Sequence, residues 1–246
     1  MSLPEPPASP NGPRAQDFWL ANLSTADAYT RWILDEVQPW LGHRILEVGC
    51  GTGNFTVPLA SAGHELVSID IDAEYVKAAA RRTAGFSAVT IRHADVNDDD
   101  GALGEGFDSV VMFDVLEHIE DDVPLLETLR SRLRPGGYVV LKVPAIKALH
   151  SPMDDAIGHW RRYDRATLTM ALSTAGFELV KLWRFNAFAV PGWWLNGRVL
   201  KRETPPAEQL RLFNMLIPLL RPLDHVFRHV TGLSYFAIGR RPISSE

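Results

Sequence analysis

Cysteine is almost missing from this chain: Cys50 is the only one in 246 residues. That excludes an internal disulfide framework and fits a reducing, cytoplasmic setting. Long apolar runs are missing too, and no stretch approaches the roughly 18 consecutive apolar residues of a membrane-spanning helix. The first 13 residues hold five prolines and no apolar run, so residues 1–14 read as a flexible tail and not as a secretory leader. Positive charge is scarce as well. The 25 Lys and Arg against 30 Asp and Glu leave a net charge of −5, and no basic stripe offers a footprint for nucleic acid.

What is present centres on Arg44 to Thr56, R-I-L-E-V-G-C-G-T-G-N-F-T. Arg44 to Val48 is short and apolar, a buried strand. Glycines follow at alternate positions 49, 51 and 53, and then Phe55, Leu59 and Ala62 fall at helical spacing. Strand, glycine turn and helix together let a ligand approach bare backbone at a positive helix end. Upstream, Asp17 and then Ser24 or Thr25 are placed to cap two helices within residues 15–40, and Trp19 and Tyr29 are candidates to cover the mouth of the glycine turn.

Downstream, H-E-L-V-S-I-D ends a second strand at Asp70, 21 residues after Gly49 (70 − 49). That spacing suits a carboxylate that holds ribose hydroxyls. Asp72 has the position of a helix N-cap. A third strand, Ala88 to Arg92, leads to Asp95. A fourth, Phe107 to Phe113, leads to Asp114 and His118, and a fifth runs from Tyr138 to Val143. Strand and helix alternate throughout, which predicts an α/β fold with an open parallel sheet covered on both faces and its ligand beyond the carboxyl ends of the strands.

With these residues in view, the chain resembles the class I S-adenosylmethionine-dependent methyltransferases. E-V-G-C-G-T-G resembles the family's cofactor loop, I-D-I-D its ribose-binding end and H-A-D-V its adenine-side loop. F-D-S-V-V-M-F-D-V-L-E-H and L-R-P-G-G-Y-V-V-L-K resemble its fourth- and fifth-strand signatures. The match spans Arg44 to Ala145. It implies a Rossmann-like, mostly parallel sheet of seven strands whose last two, near Phe177–Phe185 and Ser234–Arg241, form an antiparallel hairpin. It also implies roles. Glu47 and the backbone of Gly49, Cys50, Gly51 and Gly53 would hold the methionine portion of S-adenosylmethionine, and Asp70 the ribose. Ile71, Asp95 and Val96 would meet adenine, while Phe113 and Asp114 would line the amino-acid end. A nicotinamide enzyme is the competing chemistry, but its third glycine would fall at position 54, which is Asn54.

The resemblance implies acceptor contacts after the fifth strand, within 146–186, where H-S-P-M-D-D-A-I-G-H-W-R-R-Y-D lies. His159, His118 and Tyr163 are the candidate catalytic residues, and Trp160, Arg162, Trp193 and Trp194 the candidate acceptor contacts. Asp121, Asp122, Asp154 and Asp155 read as solvated loop acids, so no metal site is expected. Residues 187–232 form a long insertion before a last strand at 233–241. In it Arg211, Asn214, Arg221, His225 and Arg228 make the polar face of a helix that Pro218 and Pro222 should interrupt. A lid, a contact between two copies and a peripheral membrane contact all remain open for it. The expectation is a single domain over 15–241, with its cofactor core at 44–145. Its expected activity is methyl transfer to a small, apolar or aromatic molecule, most simply at oxygen. Transfer to nitrogen or carbon, and a cofactor-binding partner or sensor without turnover, are the alternatives.

Overall fold

The computed structural model describes residues 15–96 and 103–243; the expected tail at 1–14 lies outside them. Helices α1 (Ala15–Leu23) and α2 (Asp27–Val37) precede β1 (Arg44–Val48). Then come α3 (Thr56–Ser61), β2 (Glu65–Asp70), α4 (Ala73–Thr83), β3 (Val89–His93) and β4 (Phe107–Phe113). The second half holds α5 (Asp122–Arg132), β5 (Leu133–Pro144), α6 (Pro152–Ala156), α7 (Arg165–Thr174) and β6 (Glu178–Phe185). After them come α8 (Val190–Trp193), α9 (Ala207–Phe227) and β7 (Ser234–Arg240).

The seven strands form one sheet in the order β3-β2-β1-β4-β5-β7-β6, with β7 antiparallel to both of its neighbours and the other described pairs parallel. The Rossmann-like sheet with a C-terminal antiparallel pair is therefore present. Alternate residues of the strands feed two cores. Leu46, Val48, Met112 and Leu141 pack under α5 and α7, with Leu125, Leu129, Leu168 and Leu172. Ile45, Val111, Val140 and Phe236 pack on the other face with Trp32 and Ile33 of α2, Leu59 of α3 and Ile217 of α9. Burial on both faces explains why the strands read as continuous apolar runs. Strand order reverses between β1 and β4, and the crevice beyond their carboxyl ends is where this topology seats a ligand.

Local signals behave as their chemistry dictates. Asp72 caps α4 by accepting from the backbone N–H groups of Glu74 and Tyr75, and Asp164 caps α7 through Thr167. Helix α2 instead starts at Asp27 without a side-chain cap from Ser24 or Thr25. The larger correction concerns α9, which runs unbroken through Pro218 and Pro222. A proline inside a helix costs about 3 kcal/mol, and here tertiary contacts hold the segment. Asn214 accepts from the Tyr29 N–H at 3.1 Å, Arg221 pairs with Asp35 at 2.7 Å and Arg228 with Glu36 at 3.0 Å. Asp224 accepts from the N–H groups of Asn186 and Ala187, closing the end of β6.

The second core depends on an aromatic group. Phe236 is fully buried between Trp183 and Phe185, with ring centroids 5.1 and 4.9 Å away. Phe236→Ala is expected to destabilise the protein by about 3–5 kcal/mol, read as a lower urea midpoint with an unchanged slope.

Candidate active site

The chain leaves β1 through Gly49, Gly51 and Gly53, all at positive φ (+75°, +53° and +83°). A Cβ on Gly49 would stand 2.4 Å from Val115 Cγ2, so only glycine lets the exits of β1 and β4 meet here. Asp70 braces the loop from the end of β2: its carboxylate accepts from the Gly51 N–H at 2.7 Å and from the Asp72 N–H at 2.9 Å. Burial raises its pKa above the usual carboxylate range, and these two donors partly offset that.

A cavity of about 1520 Å³ opens over these strand ends. Gly49, Cys50, Gly51, Asp70, Ile71, Asp95, Val96, Phe113 and Asp114 line one part of it. His118, His159, Trp160, Arg162 and Trp193 line the remainder. The volume exceeds the roughly 300–1,000 Å³ typical of a small-molecule pocket, which leaves space for a second ligand. Helix α1 forms part of the wall. The Leu20 carbonyl accepts from Asn54 of the glycine turn at 3.1 Å, and Tyr75 donates to Asp17 at 2.6 Å. Trp19 stacks on Trp193, which in turn lies under the Arg162 guanidinium at 4.5 Å. Trp19 and Tyr29, the candidates to cover the glycine turn, both line the cavity.

Four expected contacts do not line it. Glu47 is buried beneath the glycine turn, where its Oε2 accepts from Thr56 and Ser68, each at 2.7 Å. Gly53 shapes the turn from behind, near Ala79. Tyr163 is fully buried and donates to Asp122 at 2.7 Å; burial and then the Asp122 charge raise its pKa, so it is no base for the cavity. Trp194 turns outward on a π-helical turn, Trp194–Val199, while Trp193 turns in.

At the end of β4 the backbone bends at Asp114 (φ +55°) into a tight turn, Leu116–His118. Here two residues appear that the sequence reading passed over, Lys142 and Glu117, and a third, Asp154, whose reading is corrected. Lys142, a lysine inside an apolar strand, is buried against both carboxylate oxygens of Asp114. Burial alone would lower its pKa, but the facing Asp114 charge overrides this and holds it above the ordinary value.

Asp154 is not a solvated loop acid but a buried hub. It accepts from Ser151 N–H and Oγ, from His159 Nδ1 at 3.0 Å and from Arg162 Nε at 2.8 Å. Burial works to raise its pKa, and the His159 hydrogen bond and the Arg162 charge more than offset that.

Glu117 is wholly buried, and among the described residues neither of its carboxylate oxygens takes a hydrogen bond from another side chain or backbone. Its Oε1 lies 3.6 Å from His159 Nε2. The His118 ring stands edge-on to that of His159, centroids 4.7 Å apart. Burial, then the His159 charge, push the His118 pKa down to about 3, so it is neutral at pH 7. The expectation of no metal-ligand cluster is thus corrected: the potential ligand atoms of Glu117, His118 and His159 lie within 4.8 Å of one another.

Fold and site together define a nucleotide-type cofactor cleft with a second compartment beside it. A family model described as a methyltransferase domain matches residues 18–182, more than half of the chain. The chain belongs to this family of class I S-adenosylmethionine-dependent methyltransferases.

It is 36% identical over 103 residues to a ubiquinone biosynthesis O-methyltransferase of Cereibacter sphaeroides, covering 42% of this chain and 41% of that one. It is 31% identical over 143 residues to a probable S-adenosylmethionine-dependent methyltransferase of Mycolicibacterium smegmatis, covering 56% and 53%. The matches thus span about two fifths to one half of the lengths of these curated relatives. Among solved structures, a SAM-dependent methyltransferase from Archaeoglobus fulgidus superposes with a TM-score of 0.60 at 21% identity, over 87% of this chain and 94% of that one; at that identity it attests the fold. S-adenosylmethionine is the family's cofactor, and the residues here fit it. Bare glycine backbone and the Asp70 carboxylate share one wall of the cavity with apolar Ile71 and Val96.

Glu47 supplies a test of this packing. Burial first, and then the Asp70 charge, lift its pKa from 4.5 to about 6, against the two hydroxyl donors. The folded form therefore binds its proton more tightly than the unfolded chain, and stability falls as pH rises from 4.5 through 6. A shift of that size corresponds to about 2 kcal/mol. Glu47→Gln removes this ionisation. Urea unfolding of the cofactor-free protein should show the variant gaining about 2 kcal/mol on wild type between pH 4 and pH 7.5. A difference independent of pH would place Glu47 in a solvated setting.

Proposed function

We propose that the protein transfers the methyl group of S-adenosylmethionine to an oxygen of a small, apolar or aromatic acceptor. The observation that carries this reading is one continuous cavity whose two parts differ in chemistry: glycine backbone and Asp70 on one side, imidazoles, an arginine and indoles on the other. The cofactor supplies an electrophilic methyl group on a sulfonium, so the work left to the protein is alignment and exclusion of water. The backbone of Gly49, Cys50 and Gly51 and the Asp70 carboxylate hold the donor, with Ile71, Asp95 and Val96 at its base. Phe113 and the Asp114–Lys142 pair bound its other end.

On the acceptor side, His159 is oriented by the Asp154 carboxylate at Nδ1 and lines the compartment. His118 stands beside it. Trp160, Trp193 and Arg162 wall the compartment, and α1 and α8 close over it. The identity with ubiquinone biosynthesis O-methyltransferases supports oxygen as the methylated atom and an aromatic ring as its carrier.

The insertion at 187–232 favours an apolar acceptor met at a membrane surface. Asn214, Arg221 and Arg228 face inward, to α2, whereas Leu212, Met215, Leu219, Leu223 and Val226 are about half exposed or more. Such a helix has its amphipathicity turned outward, and an apolar row of this size calls for a partner surface. Exposed Trp194, Leu195, Val199 and Leu200 lie beside Arg198, Lys201 and Arg202 in the same insertion, a combination that suits an anionic bilayer. Among the described residues no helix is long and apolar enough to cross a membrane, so the contact would be peripheral.

Incubation with S-adenosylmethionine and a panel of alkylated phenols should yield S-adenosylhomocysteine and a methyl ether, both read by mass spectrometry. A product methylated on nitrogen or carbon, or cofactor binding with no product across a broad panel, would count against the oxygen reading. For the membrane contact, the full chain should sediment with vesicles of phosphatidylcholine containing about one third phosphatidylglycerol. The double variant Met215→Glu, Leu219→Glu should lose most of that binding while keeping its circular dichroism. A wild-type chain that ignores vesicles and instead dimerises through α9 would replace this reading with a contact between copies.

A further inference from the structure

We infer that Glu117, His118 and His159 bind a divalent metal ion of the zinc class at the floor of the acceptor compartment. Glu117 first demands a partner. It is wholly buried, and no other residue among those described donates to either carboxylate oxygen. The two nearest buried cations are already committed, Lys142 to Asp114 and Arg162 to Asp154 and the Ala145 carbonyl. A buried carboxylate without a donor or a counter-charge is costly, and a bound cation removes that cost.

The two imidazoles answer it. His159 Nδ1 is held by Asp154, which fixes the ring so that Nε2 faces Glu117 at 3.6 Å. That is too long for a hydrogen bond but close to the ~3.4 Å that separates two ligands of a tetrahedral ion with bonds of about 2.0–2.1 Å. The carboxylate–histidine pairing behind Nε2 is the arrangement that orients metal-bound imidazoles. His118 hydrogen-bonds the Gly158 backbone and brings the third ligand, all three sets of ligand atoms lying within 4.8 Å of one another. The backbone holds the two halves in register, for the Trp160 N–H donates to the Glu117 carbonyl at 2.9 Å.

Two nitrogens and one carboxylate select a borderline ion such as zinc over magnesium or calcium, which prefer oxygen ligands. Three protein ligands also leave a coordination position open. His118 and His159 line the cavity and Glu117 does not, so the open side faces the acceptor. The role of the ion rests on the methyl-transfer reading. An acceptor hydroxyl would bind the ion through oxygen and lose its proton to solvent; the oxyanion's lone pair would then form the bond to the methyl carbon as the carbon–sulfur bond breaks, its electron pair returning to sulfur and S-adenosylhomocysteine leaving.

The test uses the full chain freed of metal by chelation. Zinc titration followed by calorimetry should give one equivalent bound. Cobalt(II) in its place should give visible absorption bands that zinc abolishes. Glu117→Gln and His159→Ala should each weaken zinc binding at least tenfold, and His225→Gln, which removes an exposed imidazole, should leave it unchanged. Glu117→Gln keeps the shape of the side chain, so its metal-free melting temperature should equal or exceed that of wild type, while the zinc-induced rise disappears. Absence of zinc binding by the wild type, or equal binding by Glu117→Gln, overturns the site. Because cobalt absorption needs no acceptor, a chain that binds the ion yet transfers no methyl group would sink the transfer reading and leave the metal site standing.

Discussion

Carboxylates gathered at the ends of adjacent strands impose the constraint on which this structure turns. Water cannot solvate the buried ones, Glu47, Asp154 and Glu117, so each of these calls for a donor supplied by the fold, and the more open Asp70 and Asp114 are braced in the same way. Glu47 at the end of β1 takes two hydroxyls, Thr56 and Ser68. Asp70 at the end of β2 takes two backbone N–H groups, and in doing so sets the glycine turn. Asp114 after β4 takes Lys142 from the neighbouring β5. Asp154 takes Arg162, His159 and Ser151. These pairings tie β1, β2, β4, β5 and the loop after β5 into one rim, and the cavity is the space the rim encloses. Glu117 alone in this group has no donor from another residue, and it sits between the two imidazoles best placed to meet a ligand.

The rim also explains the division of labour within the cavity. Where backbone and short acids form the wall, at Gly49 to Gly51 and Asp70, the surface suits a polar nucleoside. Where the long loop after β5 and the insertion before β7 form the wall, indoles and imidazoles replace them. Ile217 of α9 still enters the core, but an exposed apolar row beside polar anchors departs from an ordinary core helix, and it gives this side a surface unlike the remainder of the protein.

Much of this was legible before any coordinates. The glycine spacing, the acid 21 residues after Gly49 and the alternation of strand and helix depend on local chemistry, and local chemistry is written in neighbouring residues. So was the cap Asp72. Other features depend on which distant segments meet. Asp154 looks like a loop acid until Arg162 and His159 fold over it, and Glu117 carries no local signal until the turn after β4 buries it. Lys142 is a charge within an apolar run, a signal that needs its partner Asp114 to be interpreted. Trp193 and Trp194 are adjacent in sequence, and only the π-helical turn decides that the first faces the cavity and the second does not. The prolines of α9 misled for the same reason: their local cost is real, and the contacts of Asn214, Arg221, Asp224 and Arg228 outweigh it.

The central claim is that the rim is built for S-adenosylmethionine, and calorimetric titration of the full chain tests it most directly. Titrated separately, S-adenosylmethionine and S-adenosylhomocysteine should each bind at one site per chain, and NAD should produce no heat of binding. Saturable binding of NAD, or failure of both sulfur nucleosides to bind, would contradict the account.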